Sequence, residues 1–598
     1  MKYPVLSELS TSREMIDIFK GYNHNLRIGD GEFYDMQNLT SADYPVLSPR
    51  SPRGVYKSQV NPLGMIAKDS LCYLDGTKFV INENDDIDLL TYGLDVNTPK
   101  TLISMGAYAI IMPDKIYVNT AKPSDCGKIE AQFPAESTSP AISAEFSLCK
   151  VDGTDYGDIP NEETPPQNPD EEPLLWIDTS SVPHVLKQYA PSSKSWTSVA
   201  TTYIKIYAKG IGQPFNVEDG VYIDLGDDET KIDASIIDFH KTYAYIYDKK
   251  DDYIVIKGIL KKSVTHTAGI KVSRKMPEMD FIIESGNRLW GCRYGPALNG
   301  QIVNEIYASK LGDFKNWNSF ASISTDSYVA TVGTDGKFTG AITHLGYPIF
   351  FKENYMHKIY GNYPANFQIQ TTACRGVQNG SSKSLAIVNE TLYYKSTSGI
   401  CAYDGSLPVE MSSALGDVQY ENAVAGVLGN KLYISMHDTT NPGPDKEYPL
   451  FVYDTRKGMW HKEDNINVTE FCACRGELYY IDNDTQIKTI KGTGIKDTSM
   501  VTWMAETGIL GTDSPDKKYI SRLDIRLSLA VGSRVYIYAQ YDSIDEWEQL
   551  FAMSGTTLKT FSSPVRPKRC DHLRLRIVGE GEAKIYSICK TIEQGSDI

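Results

Sequence analysis

Asn430-Lys431-Leu432-Tyr433-Ile434 is a polar turn running into an aliphatic–aromatic pair, and its shape recurs along the chain. It returns as Glu390-Thr391-Leu392-Tyr393-Tyr394 and Gly476-Glu477-Leu478-Tyr479-Tyr480, and earlier as Asn287-Arg288-Leu289-Trp290 and Gly346-Tyr347-Pro348-Ile349-Phe350-Phe351. Each reads as a short strand entered from a turn, because Gly and Asn supply turn conformations and the apolar run suits a pleated sheet. From Leu289 through Ile349, Leu392, Leu432 and Leu478 the spacings are about 60, 43, 40 and 46 residues, near the roughly 40–50 residues of a four-stranded propeller blade. One blade per repeat is predicted. Further copies stand at Ser70-Leu71-Cys72-Tyr73 and Ala107-Tyr108-Ala109-Ile110-Ile111, and the gap of about 180 residues before Leu289 holds a blade plus an insertion. The fold class predicted is all-β: a six- or seven-bladed β-propeller with an inserted β-domain and a C-terminal β-sandwich.

The borders follow from where the repeat fails. Residues 61–140 are assigned to the first blades and 280–496 to the remaining ones. Between them, 141–279 reads as the inserted β-domain: alternating strands such as Tyr203-Ile204-Lys205-Ile206-Tyr207 follow an acidic, Pro-rich stretch at 152–173 that is expected to be an exposed linker. Beyond 497, Leu523-Asp524-Ile525-Arg526-Leu527, Val535-Tyr536-Ile537-Tyr538 and Leu573-Arg574-Leu575-Arg576-Ile577 alternate apolar and polar residues, as a terminal β-sandwich requires. Helical periodicity is confined to a turn or two within 7–19. Residues 1–60 read as an extended arm, its prolines and glycines denying it regular pairing.

Composition narrows the function. A net charge of −16 over 598 residues, with no block of Lys or Arg, disfavours nucleic-acid binding. No apolar run approaches the roughly 18 residues of a membrane span, so no membrane anchor is expected. Ten cysteines are too sparse for a disulfide scaffold, and Cys472-x-Cys474 has no second pair at zinc spacing, so buried thiols are expected. The search for catalytic, phosphate-binding and dinucleotide-binding motifs is negative. The stretch 309–317 resembles the Asp-box turn of sialidase-type propellers but departs at the Asp position. Tyr453-Asp454-Thr455 with Gly458 and Trp460 resembles a kelch-type blade signature without its glycine pair. Both read as a turn with a packing aromatic. The expectation is therefore a chain with no catalytic residue, no metal, no cofactor and no enzymatic activity.

The N-terminal run 27–39, Arg-Ile-Gly-Asp-Gly-Glu-Phe-Tyr-Asp-Met-Gln-Asn-Leu, and the run 44–53, Tyr-Pro-Val-Leu-Ser-Pro-Arg-Ser-Pro-Arg, carry the most specific pattern. Together with 287–317 and 563–572 they resemble the nozzle, or stabilisation, proteins of short-tailed phages and their relatives in phages of Gram-positive hosts, over about two-thirds of the chain. The resemblance implies a structural virion protein of the tail. It would be assembled in the host cytoplasm as a homo-oligomeric ring, typically of six copies, that extends and closes the tail tube below an adaptor or portal-side ring. Tail fibres or a tail plug are further partners implied, and DNA would pass through without specific binding, which the acidic charge favours. The alternative is a tail-associated receptor- or carbohydrate-binding propeller. Arg27, Gly31, Phe33, Asn38, Tyr44, Pro45, Arg50 and Arg53 are the motif and interface candidates. Their aromatics should be packed, either within the chain's own core or against a neighbouring subunit.

Overall fold

Every repeated pair falls in the second strand of a four-stranded unit, which in the last two cases continues into a larger sheet: Leu71–Asp75, Tyr108–Met112, Arg288–Pro296, Tyr347–Lys352, Thr391–Lys395, Lys431–Asp438 and Glu477–Ile481. The computed structural model describes residues 11–82, 85–135, 141–167, 174–297, 300–440, 447–482, 484–496, 499–511, 517–544, 546–566 and 568–594. Successive side chains of a strand point to opposite faces, so two adjacent large residues serve both neighbouring blades at once. Leu392 packs against the preceding blade and Tyr393 against the following one; Leu432 and Tyr433, and Leu478 and Tyr479, divide in the same way.

The seven sheets, called blades I–VII in chain order, are joined by seven apolar interfaces that close a ring, the last formed by Met65, Leu71 and Tyr73 of blade I with Cys474 and Tyr479 of blade VII. The fold is thus a seven-bladed propeller. Its ring is closed by sequence-distant pairing: the fourth strand of blade VII is Gly54–Ser58, antiparallel to Gln486–Thr489. Gly54 is needed there, since a Cβ would stand 2.5 Å from the Thr493 carbonyl oxygen.

Residues 11–60 are therefore not an extended arm, nor is 11–19 helical. Thr11–Ile16 pairs with Ala583–Gln594, and Glu32–Gln37 pairs with Thr502–Thr507. Gly21–Tyr22 bridges Glu32–Gln37 to the last strand of blade VI through Tyr22 and Trp460. The prolines lie between or at the ends of these short strands, so they do not break the pairing; residues 1–10 lie outside the described residues. The C-terminal module is a sheet folded onto itself. Lys518–Tyr541 pairs along its first half with Ala583–Gln594 and along its second with Leu573–Glu580. It turns at 530–532, where Gly532 has φ +90°. Leu523, Ile525 and Leu527 on one side of the turn share a core with Val535, Ile537 and Ala539 on the other.

The insertion forms an eight-stranded sheet from Ala131–Phe133 to Lys271–Arg274, curled around Phe146, Ile204, Ile206, Val221, Ile223, Ile246, Ile254 and Val272. Its strands thus begin before 141. A small sheet of Asn161–Glu162, Leu175–Asp178, Val185–Ala190 and Ser195–Ser198 is set on it. The stretch 152–173 is accordingly more than a linker: it supplies Asn161–Glu162, and Ile159 is buried with Ile177 and Leu186, while 168–173 lies outside the described residues.

The Asp-box-like stretch turns out to anchor this insertion. Phe314 and Trp317 pack between blades II and III. Asn316, 1% exposed, donates to Asp219 (2.9 Å) and accepts from the Gly220 N–H (3.1 Å), and Asp219 also pairs with Arg274. Asn316→Ala strips hydrogen bonds from a buried carboxylate, at roughly 1–3 kcal/mol. We expect a corresponding fall in the denaturant midpoint, together with faster amide exchange at 216–222 than in the blades. Unchanged exchange would show that the insertion is held elsewhere.

Candidate functional site

The motif residues meet at the junction of propeller and C-terminal sheet. Gly31 has φ +87°, and a Cβ there would lie 2.1 Å from the Ile18 carbonyl oxygen. Phe33, 1% exposed, stacks on Phe19 at 5.9 Å. Asn38, with φ +57°, donates through Nδ2 to the Thr502 carbonyl (2.8 Å) and accepts from Arg50 Nε (2.9 Å). Arg50 and Arg53 converge on Asp464 of blade VI, and Arg53 Nη2 also reaches Glu463 Oε2 at 2.6 Å. The Tyr44–Pro45 bond is cis, and the Pro45 carbonyl accepts the Phe19 N–H (3.2 Å). Arg27, Tyr44 and Pro45 are the exposed ones of the eight, with Lys457 Nζ 4.9 Å from the Tyr44 ring centroid. Five of these candidates, Gly31, Phe33, Asn38, Arg50 and Arg53, are thus spent inside the chain, on joining two modules.

A better surface for assembly is one that motif reading missed. The strand Glu548–Pro564 runs 17 residues and pairs only with Lys518–Tyr541. Met553 is its one buried residue; Leu558 is 57% exposed. It follows the turn of Lys518–Tyr541, 556–564 pairing before it and 548–554 after it, and presents along both stretches an edge whose outward N–H and C=O groups have no backbone partner among the described residues. Short or covered edges are the usual protection, and here neither applies. Beside it, at the turn of the long strand, Val531 is 99% and Met500 48% exposed. They line a cleft of about 590 Å³ with Ser48, Arg50 and Lys584. The sequence signal was the near-unbroken polar–apolar alternation from Ile520 to Tyr541, whose unusual length implied a partner strand equally long.

The propeller's innermost strands carry few ionisable groups. Glu284 accepts the turn N–H of Asn287 (2.9 Å), Glu421 pairs with His437 (3.1 Å), and Glu470 accepts the Met65 N–H (2.9 Å) and pairs with Lys383 (3.3 Å). Burial pushes the Glu470 carboxyl up, with Lys383 opposing. The ten cysteines are free thiols, most of them buried; Cys474 packs between blades VII and I. Among the described residues, no group of three or more His, Cys, Asp or Glu is placed to hold a metal ion, and no helix is long and apolar enough to cross a membrane.

No family model and no curated protein matches the chain. Solved structures do. One is the exo-β-1,3-galactanase of Phanerochaete chrysosporium with galactose, at 8% identity over 51% of this chain and 95% of that one, TM-score 0.21. Another is a family 43 arabinoxylan arabinofuranohydrolase of Bacillus subtilis with cellotetraose, at 9% identity over 53% and 94%, TM-score 0.16. These matches are enzymes, against the expectation that the chain is not one. That expectation rested on missing motifs, whereas glycosidases work with carboxylates that need no contiguous motif. At such identities and TM-scores the likeness assigns no reaction to this chain.

Proposed function

We propose that the chain is a structural protein of a phage tail, forming a ring that extends and closes the tail tube and lets DNA pass during genome delivery. The observation that carries the reading is the uncovered edge of Glu548–Pro564, because an unpaired edge is a template for another strand. Strand addition onto this edge by a different segment of a second copy is a head-to-tail contact, and its repetition generates a closed ring when the rotation allows it. The resemblance of 27–53, 287–317 and 563–572 to nozzle proteins supports the same reading, with an adaptor-side ring, fibres or a plug as partners and the virion tail as location. The acidic charge of −16 lies mostly on the propeller and insertion, since residues 497–598 hold nearly balanced charges. A neutral wall around the duplex avoids the counterion release that makes Lys- and Arg-lined surfaces hold DNA.

The test is made on the intact chain. Purified protein is expected to form rings by electron microscopy, with a mass several times that of one subunit. In the regular pairing of 559–564 with 522–527, adjacent residues direct their N–H groups to opposite sides, so of Thr560→Pro and Phe561→Pro one removes an outward donor and the other a donor to Lys518–Tyr541. The outward one should yield a folded, ring-less subunit. A monomeric wild type, or rings from both variants, would remove the proposal.

A further inference from the structure

We propose that a cleft in the inserted domain is a binding site for a neutral oligosaccharide. Its floor is the outward face of two paired strands, Ala144–Cys149 and Tyr203–Tyr207; its other wall is Asn161 and Ile177 of the small sheet together with residues 260–263. The volume is about 590 Å³, within the roughly 300–1,000 Å³ of small-molecule sites.

The walls specify the ligand class. Glu145, Asp155 and Asp158 face Lys205, Lys261 and Lys262. Three carboxylates against three ammonium groups leave no net charge to attract a phosphate or a polyanion, but they offer many donors and acceptors to hydroxyl groups. Asp155 is held in place: it accepts from Ser147 Oγ at 2.7 Å and pairs with Lys205. Leu148 and Ile177 reach the cleft from the small sheet's core and add an apolar patch beside these polar groups. An apolar patch with convergent polar groups is what a pyranose ring needs, since it presents a C–H face and a rim of hydroxyls.

Aromatic rings extend from the mouth of this cleft. Tyr207, 47% exposed, lines it and lies opposite Tyr253 in the sheet register. Tyr203, on the same face of the same strand, is 5.1 Å from Tyr247, which is 4.9 Å from Tyr245. Cross-strand aromatic pairs stabilise any sheet, which accounts for Tyr203, Tyr247 and Tyr245 by itself. It does not account for Tyr207, whose ring stands beside a polar cleft instead of covering a neighbour. The chain of rings gives a path along which a glycan longer than the cleft would continue by stacking. The site does not depend on ring assembly.

The experiment is saturation-transfer NMR on the full chain with three neutral tetrasaccharides as probes: β-1,4-linked glucose, α-1,4-linked glucose and β-1,4-linked N-acetylglucosamine. At least one is expected to receive saturation. Tyr207→Ala, at an exposed position that should not disturb folding, is expected to weaken it by about tenfold, the value of one good aromatic contact. Asp158→Asn should weaken it as well. Tyr243→Ala, at a 51% exposed ring elsewhere on the sheet, should change nothing. Transfer to none of the three, or transfer indifferent to Tyr207→Ala, would overturn the assignment.

Discussion

Arg53→Met is expected to lower the stability of the folded chain by roughly 3–5 kcal/mol, the cost of leaving a buried ion pair with one partner. Arg53 lies 11% exposed between Glu463 (2%) and Asp464 (11%), at 2.6 and 2.9 Å. Burial alone would discourage its charge, but the two carboxylates outweigh that and hold the guanidinium firmly protonated. Methionine keeps most of the volume and none of the charge, so Glu463 would be left in a dry site without its cation. Position adds to the effect: Arg53 immediately precedes Gly54–Ser58, the strand that closes blade VII. Loosening it loosens the closure of the whole ring. Urea unfolding would measure the change, with Lys78→Ala as control, because the Lys78–Asp86 pair is solvent-exposed on both sides and such pairs contribute little. Equal midpoints for the two variants would refute the account, while partial recovery on adding Glu463→Gln would support it.

The blades could be read from sequence because their physics is local. A second strand buried on both faces must carry two adjacent large residues, and Leu289-Trp290 or Leu432-Tyr433 shows this without knowledge of any partner. Even the exception has a reason: in blade IV the working pair is Phe350-Phe351, one residue on from Ile349, with Phe350 facing blade III and Phe351 facing blade V. The N-terminal region resisted because its meaning is non-local. Gly54-Val55-Tyr56-Lys57-Ser58 is too short and mixed to announce a strand, and its partner Gln486–Thr489 lies at the other end of the propeller. Arg50 and Arg53 were visible as unusual, but the carboxylates that explain them come from blade VI. Asn316 is a similar case: its stretch looked like a blade turn, and only the insertion folded against it shows why an asparagine is required. Exposure also escaped the pattern, since alternation in 548–564 does not tell whether a neighbour covers the edge.

Lowering the pH from 7 to 5 should destabilise the chain by roughly 4 kcal/mol through two histidines in the propeller. His357 is fully buried, with Nε2 3.0 Å from Thr334 Oγ1 and Nδ1 2.9 Å from Thr371 Oγ1. Burial, helped by the charge of Lys352, holds its pKa down to about 4. His461 is 4% exposed; burial and the charge of Lys431 lower it to about 3, with Lys457 acting in the same direction and Asp454 opposing. In the unfolded chain both would titrate near 6.5. Between 6.5 and the folded values the unfolded state therefore binds protons that the folded state refuses. The contribution to stability is complete above about pH 6.5 and is lost as the pH falls, at about 1.4 kcal/mol per unit and per histidine. Carboxylates with depressed pKa, such as Asp178 at about 2, lose their contribution only at more acid pH. The raised Glu470 works the other way, since protonating it in the folded state offsets part of the loss. The interval from 6.5 to 5 thus belongs mainly to the histidines. Denaturant unfolding of the wild type and of the double variant His357→Gln with His461→Gln, at pH 7 and pH 5, isolates them: glutamine hydrogen-bonds but does not titrate, so most of the pH-dependent difference should vanish even where the variant is less stable overall. A double variant that loses as much stability as the wild type between those pH values would show that the acid sensitivity lies elsewhere.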